Sequence, residues 1–204
     1  MPDPATPSAA LAPVNSFDPR RLGVLFLVGA VVGTLGDRVH TFSRVLDYKH
    51  PFLFGEAWWV PLLMGAAGIL LPVGHAFLRK RFAEPADGTT RDVIIAGVWF
   101  AAAYVASGLF MDYPGALAIL FSASFIARAL SSPPSRTLWL FALCTGLGGT
   151  LWEMGLSGTG AFTYLRPGPI GRVPLWLPGL YVQLALLVRA IDRRWPDVPD
   201  IKRS

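Results

Sequence analysis

Long apolar runs alternate with short polar, charged or Pro/Gly-rich breaks along most of the chain. Leu22 to about Phe42 is uncharged for fifteen residues before it meets Asp37, Arg38 and His40. A polar loop, Ser43 to Glu56, leads to AWWVPLLMGAAGILLPVGHAFL, Ala57 to Leu78, whose one titratable residue is His75. At about 1.5 Å rise per residue this run covers roughly 33 Å, enough for a hydrocarbon core. Trp58 and Trp59 suit one membrane interface, where indole rings and their N–H groups are both satisfied. Arg79, Lys80 and Arg81 close the other end.

Further spans are expected at Val93 to Met111, Pro114 to Leu130, Thr137 to about Gly155 and Leu175 to Ile191. Tight turns at Asp112-Tyr113-Pro114 and Ser131 to Ser135 separate the middle ones, and a Gly/Pro-rich loop, Ser157 to Pro174, precedes the last. The pattern predicts an all-α membrane protein, a bundle of six transmembrane helices over residues 21–194. It is flanked by a disordered Pro/Ala-rich tail, 1–20, and a cytoplasmic tail, 195–204. Six spans put both termini on one side. Thirteen basic residues fall on that side, against Arg38, Arg44, Lys49, Arg166 and Arg172 opposite. The imbalance predicts cytoplasmic termini.

Composition sharpens this picture. Of 204 residues, 53% are hydrophobic and only 15% charged, where soluble domains carry about 25%. The net charge of +5 gathers at span ends rather than in a patch with aromatics, so lipid headgroups explain it better than nucleic acid. The single cysteine, Cys144, rules out a disulfide framework, and His40, His50 and His75 show no metal-ligand spacing. No cofactor is expected.

Glu153 is the sharpest signal, because a carboxylate at the end of an apolar span faces protein or a wet cavity. The bland alternative is a headgroup-level ion pair with Arg38 or Arg166. Asp37 and Arg38 pair with each other or face inward, and Asp112 fits a turn. Arg128 is expected to snorkel into headgroups. Tyr104 and Trp152 suit packing or the interface as well as a ligand. Pro61, Gly65, Gly68 and Pro72 thin one helix, as Gly97, Ser107 and Gly108 thin the next. Such thinning predicts an intramembrane cavity, apolar below and polar above. Gly29/Gly33 and Gly146 to Gly149 are small-residue faces suited to helix association, including a homo-oligomer.

The stretch Ala57 to Pro61, AWWVP, with Gly65 and Glu84-Pro85 at matching distances, resembles the Insig family of sterol-homeostasis membrane proteins. Tyr164 with Pro167, and Arg172 with Trp176-Leu177-Pro178, resemble a second motif of that family, at a spacing two residues longer. Leu62 and Leu63 depart from its Pro-Cys stretch. The resemblance implies six helices and a non-enzymatic lipid sensor that binds sterols and restrains partner membrane proteins. The Ala/Gly/Pro/Arg-rich composition suggests a bacterial homologue in a plasma membrane; a eukaryotic one would sit in the endoplasmic reticulum. The expected ligand is an amphipathic neutral lipid, a sterol or acylglycerol, met by Asp37, Arg38, Trp58, Trp59, Pro61, Gly65, Gly68, Tyr104, Trp152 and Glu153. The competing class is a membrane enzyme of lipid metabolism using Asp37, Asp112 or Glu153 as acid/base groups.

Overall fold

Asp18 caps the first helix by accepting from the Arg20 N–H at 3.0 Å, so helix begins at Pro19, inside the expected tail. This is a computed structural model, and it describes residues 18–169 and 171–196. The rest of both expected tails lies outside the described residues. Six helices follow in order: α1 Pro19–Phe42, α2 Val60–Arg81, α3 Thr90–Leu109, α4 Pro114–Leu130, α5 Arg136–Gly158 and α6 Leu177–Arg194. Sequence signals set several of these ends. Thr89 and Asp92 form a reciprocal capping box on α3, Ser135 caps α5, and prolines open α1 and α4 in the first turn.

The chain is an all-α membrane protein. α1, α2 and α3 are each long and apolar enough to cross a bilayer, and α4 is an apolar helix of 17 residues. α1 turns Val24, Leu27, Val31 and Leu35 outward, all more than half exposed. A continuous apolar surface of this kind, on a helix long and apolar enough to cross a bilayer, suits contact with lipid.

The bundle is organised around α6. α6 packs on α2, α3, α4 and α5, and its buried face carries Gln183, Arg189 and Asp192 among Ala185, Leu186 and Val188. Polar groups that face protein need not meet lipid, so this helix can be central and still look amphipathic. Gln183 donates to the Phe121 carbonyl and Ser124 Oγ of α4 and accepts from Arg128 at 2.9 Å. Arg128 also lies over the Trp99 ring of α3, so it turns into the bundle rather than snorkelling outward.

Both expected long loops contain a strand. β1, Leu46–Tyr48, pairs antiparallel with β2, Phe162–Tyr164, in the register Leu46↔Tyr164, Asp47↔Thr163 and Tyr48↔Phe162. The alternation places Leu46, Tyr48, Phe162 and Tyr164 inside and Asp47 and Thr163 outside. This small sheet closes one end of the bundle, here the sheet end; the other is the basic end. Trp59 is the cap residue of α2, so both tryptophans precede the helix. Pro61 stands in the first turn, where it removes no helical bond, unlike Pro72 in the interior.

Candidate functional site

α1 and α2 touch backbone to backbone. A Cβ on Gly29 would lie 2.7 Å from the Gly68 Cα, and one on Gly65 would lie 2.6 Å from the Phe26 ring. The small-residue pair of α1 is therefore consumed within one chain, and Gly149, which faces the Tyr181 ring, is used likewise. α1 meets α3 at the sheet end, through Gly36 against Tyr104, His40 to Ser107 and Ser43 against Gly108. Toward the middle of the bundle a cavity of about 430 Å³ opens between α1, α2, α3 and α6. Its walls are almost wholly apolar: Val32 and Gly33 from α1, Met64 and Gly68 from α2, Gly97 and Leu187 from α3 and α6. Exposed Val28 and Val32 on α1 and Val105 on α3 stand along its margin, which gives lateral access from lipid.

Two polar groups meet this cavity. Tyr104 lines it near the sheet end. Pro72 also lines it, and as a proline it gives the Gly68 carbonyl no helical N–H, leaving an acceptor. Above Tyr104 lies a buried polar network. The His40 ring stacks on Tyr104 at 4.7 Å between centroids. Ser107 Oγ donates to the Tyr104 carbonyl at 2.7 Å. Its single hydrogen thus spent, it accepts from His40 Nε2 at 2.8 Å, which fixes the histidine tautomer.

The sheet and α6 supply the remaining partners. Tyr48 donates to Asp37 Oδ2 at 2.5 Å, and Tyr164 and Tyr181 donate to Glu153 at 3.3 and 2.9 Å. Burial pushes the Tyr48 and Tyr164 phenols above the ordinary tyrosine value, so both remain donors at neutral pH. Glu56, in the loop before α2, is 2% exposed, with neither carboxylate oxygen hydrogen-bonded among the described residues. Burial, and then the neighbouring charge of Asp37, raise its pKa to about 7 against the opposing pull of Arg38. Its protonated form therefore favours the fold, and this contribution is lost as pH rises through about 7.

The ten expected site residues divide among several environments. Gly68 and Tyr104 line the cavity. Asp37 and Glu153 stand behind it in the tyrosine network, and neither pairs with an arginine among the described residues. Arg38 instead donates to the Phe54 carbonyl, and Arg166 pairs with Asp112 at 3.0 Å on the surface. Arg38 and Pro61 line a separate groove. Gly65 is buried against Phe26, away from the cavity, and Trp59 packs edge-on against Tyr48. Trp58 and Trp152 are 65% and 54% exposed, as interface anchors are. Tyr48 and Tyr164 escape a sequence reading because the β1–β2 pairing delivers them, and His40 and Tyr181 because their partners Ser107 and Glu153 lie on other helices. Among the described residues no cluster of His, Cys, Asp and Glu is arranged to hold a metal.

No family model matches the chain. An INSIG protein homolog of Mycolicibacterium vanbaalenii is 35% identical over 95 residues, 45% of this chain. The match likewise spans 45% of that relative's length. The crystal structure of a mycobacterial Insig homologue from Mycobacterium vanbaalenii superposes with a TM-score of 0.71 at 20% identity. That superposition covers 87% of this chain and 95% of the homologue. A cross-linked trimer of the same homologue gives 0.70 at 20% identity, over 87% and 94%. The chain is thus similar to a bacterial Insig homologue in sequence over 95 residues, and in fold along most of its length. The protein is a multi-pass integral membrane protein of Insig-like architecture.

Proposed function

We propose that the chain is a non-enzymatic lipid-binding protein that holds one amphipathic neutral lipid, of sterol or acylglycerol type, between α1, α2, α3 and α6. The observation that carries this reading is the cavity: about 430 Å³, apolar, and open sideways between α1 and α3. Its volume falls within the range of ligand sites, and its lining carries few polar groups. The Tyr104 hydroxyl, near the sheet end, would meet the lipid's hydroxyl or ester head while its apolar body fills the space below. Asp37 and Glu153 act from behind, ordering the tyrosines. The enzyme alternative is weaker because both carboxylates are engaged by tyrosine hydroxyls and Asp112 is paired at the surface.

Gly97→Leu tests this directly. A Cβ there meets only Leu187 Cδ1, at 4.0 Å, and the residue lines the cavity. Leucine is also the better helix former by roughly 0.5–1 kcal/mol, so the fold should tolerate it. Native mass spectrometry should show lipid carry-over reduced by about tenfold, with the protein monodisperse. Unchanged neutral-lipid content would refute the cavity reading. The same spectra report subunit number, which bears on self-assembly like that of the cross-linked homologue.

We further infer that the sheet end faces outward and both termini lie in the cytoplasm of a bacterial plasma membrane. What supports this is the gathering of basic residues at the basic end, including Arg79, Arg136, Arg193 and Arg194. In sealed inside-out vesicles, tags on both termini should be cut by added protease. Protection of either tag would overturn the assignment.

A further inference from the structure

We infer that the chain carries a second lipid site, separate from the cavity, that takes one anionic phospholipid with its phosphate on Arg38. The site is a groove of about 540 Å³ on an outer face of α1, walled by Val31 and Leu35 and closed at the sheet end by Phe54 of the loop and Pro61 at the start of α2. At 100° per residue, Val31, Thr34 and Arg38 form one stripe of α1, whereas the cavity uses Val28, Val32 and Gly36 about a third of a turn away. Leu35 borders both groove and cavity on the lipid-facing side of α1, and on the α2 side the contacts of Gly29 with Gly68 and Phe26 with Gly65 keep the seam closed.

Arg38 is arranged for an anion. It donates to the Phe54 carbonyl and lies over the Phe42 and Phe54 rings, at 5.7 and 5.9 Å from their centroids. It makes no ion pair among the described residues, although a guanidinium offers five donors. The neighbouring acid is unavailable, since Asp37 accepts from Tyr48 on the inner side. Glu56 acts on Arg38 only through its field, and its own oxygens are buried. Thr34 also lines the groove.

Depth and reach agree with this occupant. Arg38 stands four residues before the end of α1 at Phe42, at the level where phosphates lie. From Arg38 back to Ala30 the groove offers roughly 12 Å for an acyl chain. A phosphate presents paired oxygens to the guanidinium fork, and a phosphodiester keeps its charge at neutral pH where a fatty acid at an interface is partly protonated.

The test uses the full chain in mixed micelles with phosphatidylglycerol or phosphatidylcholine, read by native mass spectrometry. Wild type should retain one phosphatidylglycerol about tenfold better than phosphatidylcholine, and Arg38→Gln should erase that preference. Val31→Trp occupies the groove from a residue 59% exposed, so it spares the core and should lower retention of both lipids. Gly97→Leu should leave the preference intact, which keeps this site's failure distinct from that of the cavity. Equal retention by wild type, or a preference that survives both groove variants, would overturn the site. Displacement of phosphatidylglycerol by an equimolar fatty acid would overturn the phospholipid as its occupant.

Discussion

Asp192→Ala is expected to cost about 3–5 kcal/mol of stability, lowering the melting temperature in mild detergent by roughly 10 °C. Asp192 is fully buried on α6, and one oxygen accepts both from Arg79 Nε and from His75 Nδ1 of α2, each at 2.8 Å. Arg79 and His75 are 3% and 1% exposed. Removing the carboxylate takes away the acceptor that the Arg79 guanidinium and the His75 ring share in a site that water barely reaches, and the loss of that buried contact is the main cost. Asp192→Asn keeps the shape and one acceptor, so its loss should be smaller. Replacing both partners, as in Asp192→Leu with Arg79→Met, should recover much of the loss if the penalty comes from breaking the Asp192–Arg79 contact on one side only. A melting temperature within a degree or two of wild type for Asp192→Ala would show that the cluster does not join α2 to α6. The consequence reaches the cavity, because Pro72, one turn before His75, and Ile191, beside Asp192, both line it.

The role of Asp192 was not legible in the sequence, and the reason is physical. Hydropathy finds helices whose whole circumference meets lipid or apolar protein, and α1, α2 and α3 satisfy that test. A helix wrapped by four others can carry Gln183, Arg189 and Asp192 inside, so its sequence resembles a poor span although it is the axis of the bundle. Number, order and approximate limits of the helices follow from apolar runs and cap residues, because those signals are local. The β1–β2 pairing is not local: three residues on each strand, 116 apart between Leu46 and Phe162 by subtraction of their numbers, carry little pattern of their own. That pairing delivers Tyr48 to Asp37 and Tyr164 beside Glu153. The carboxylates could thus be singled out as misplaced in an apolar span, while the tyrosines that satisfy them could not. Arg38 shows the opposite error of scale. Its charge marks it as functional, yet the face of α1 it occupies separates it from the cavity that Tyr104 lines.

Glycines that thin a helix look alike in sequence but divide into those that make space and those that consume it. The same substitution should therefore have opposite effects at two of them. Gly68→Leu is expected to destabilise the protein by about 3 kcal/mol or more. Its Cβ would lie 2.5 Å from the Leu25 carbonyl oxygen and 2.9 Å from the Gly29 Cα. Both are backbone atoms of α1 that no rotamer change can move aside, so the two helices must separate. Separation also loosens the packing of Phe26 on Gly65 and of Met64 on Gly33. The better helix propensity of leucine returns at most about 1 kcal/mol, too little to offset the loss. Gly97→Leu, on the open side of the cavity, lacks any such contact and should melt no lower than wild type. Thermal unfolding of the two variants in one detergent, alongside retained lipid, separates the roles. If Gly68→Leu melted with wild type, the α1–α2 seam would not be closed, and the wall dividing the cavity from the Arg38 groove would be absent.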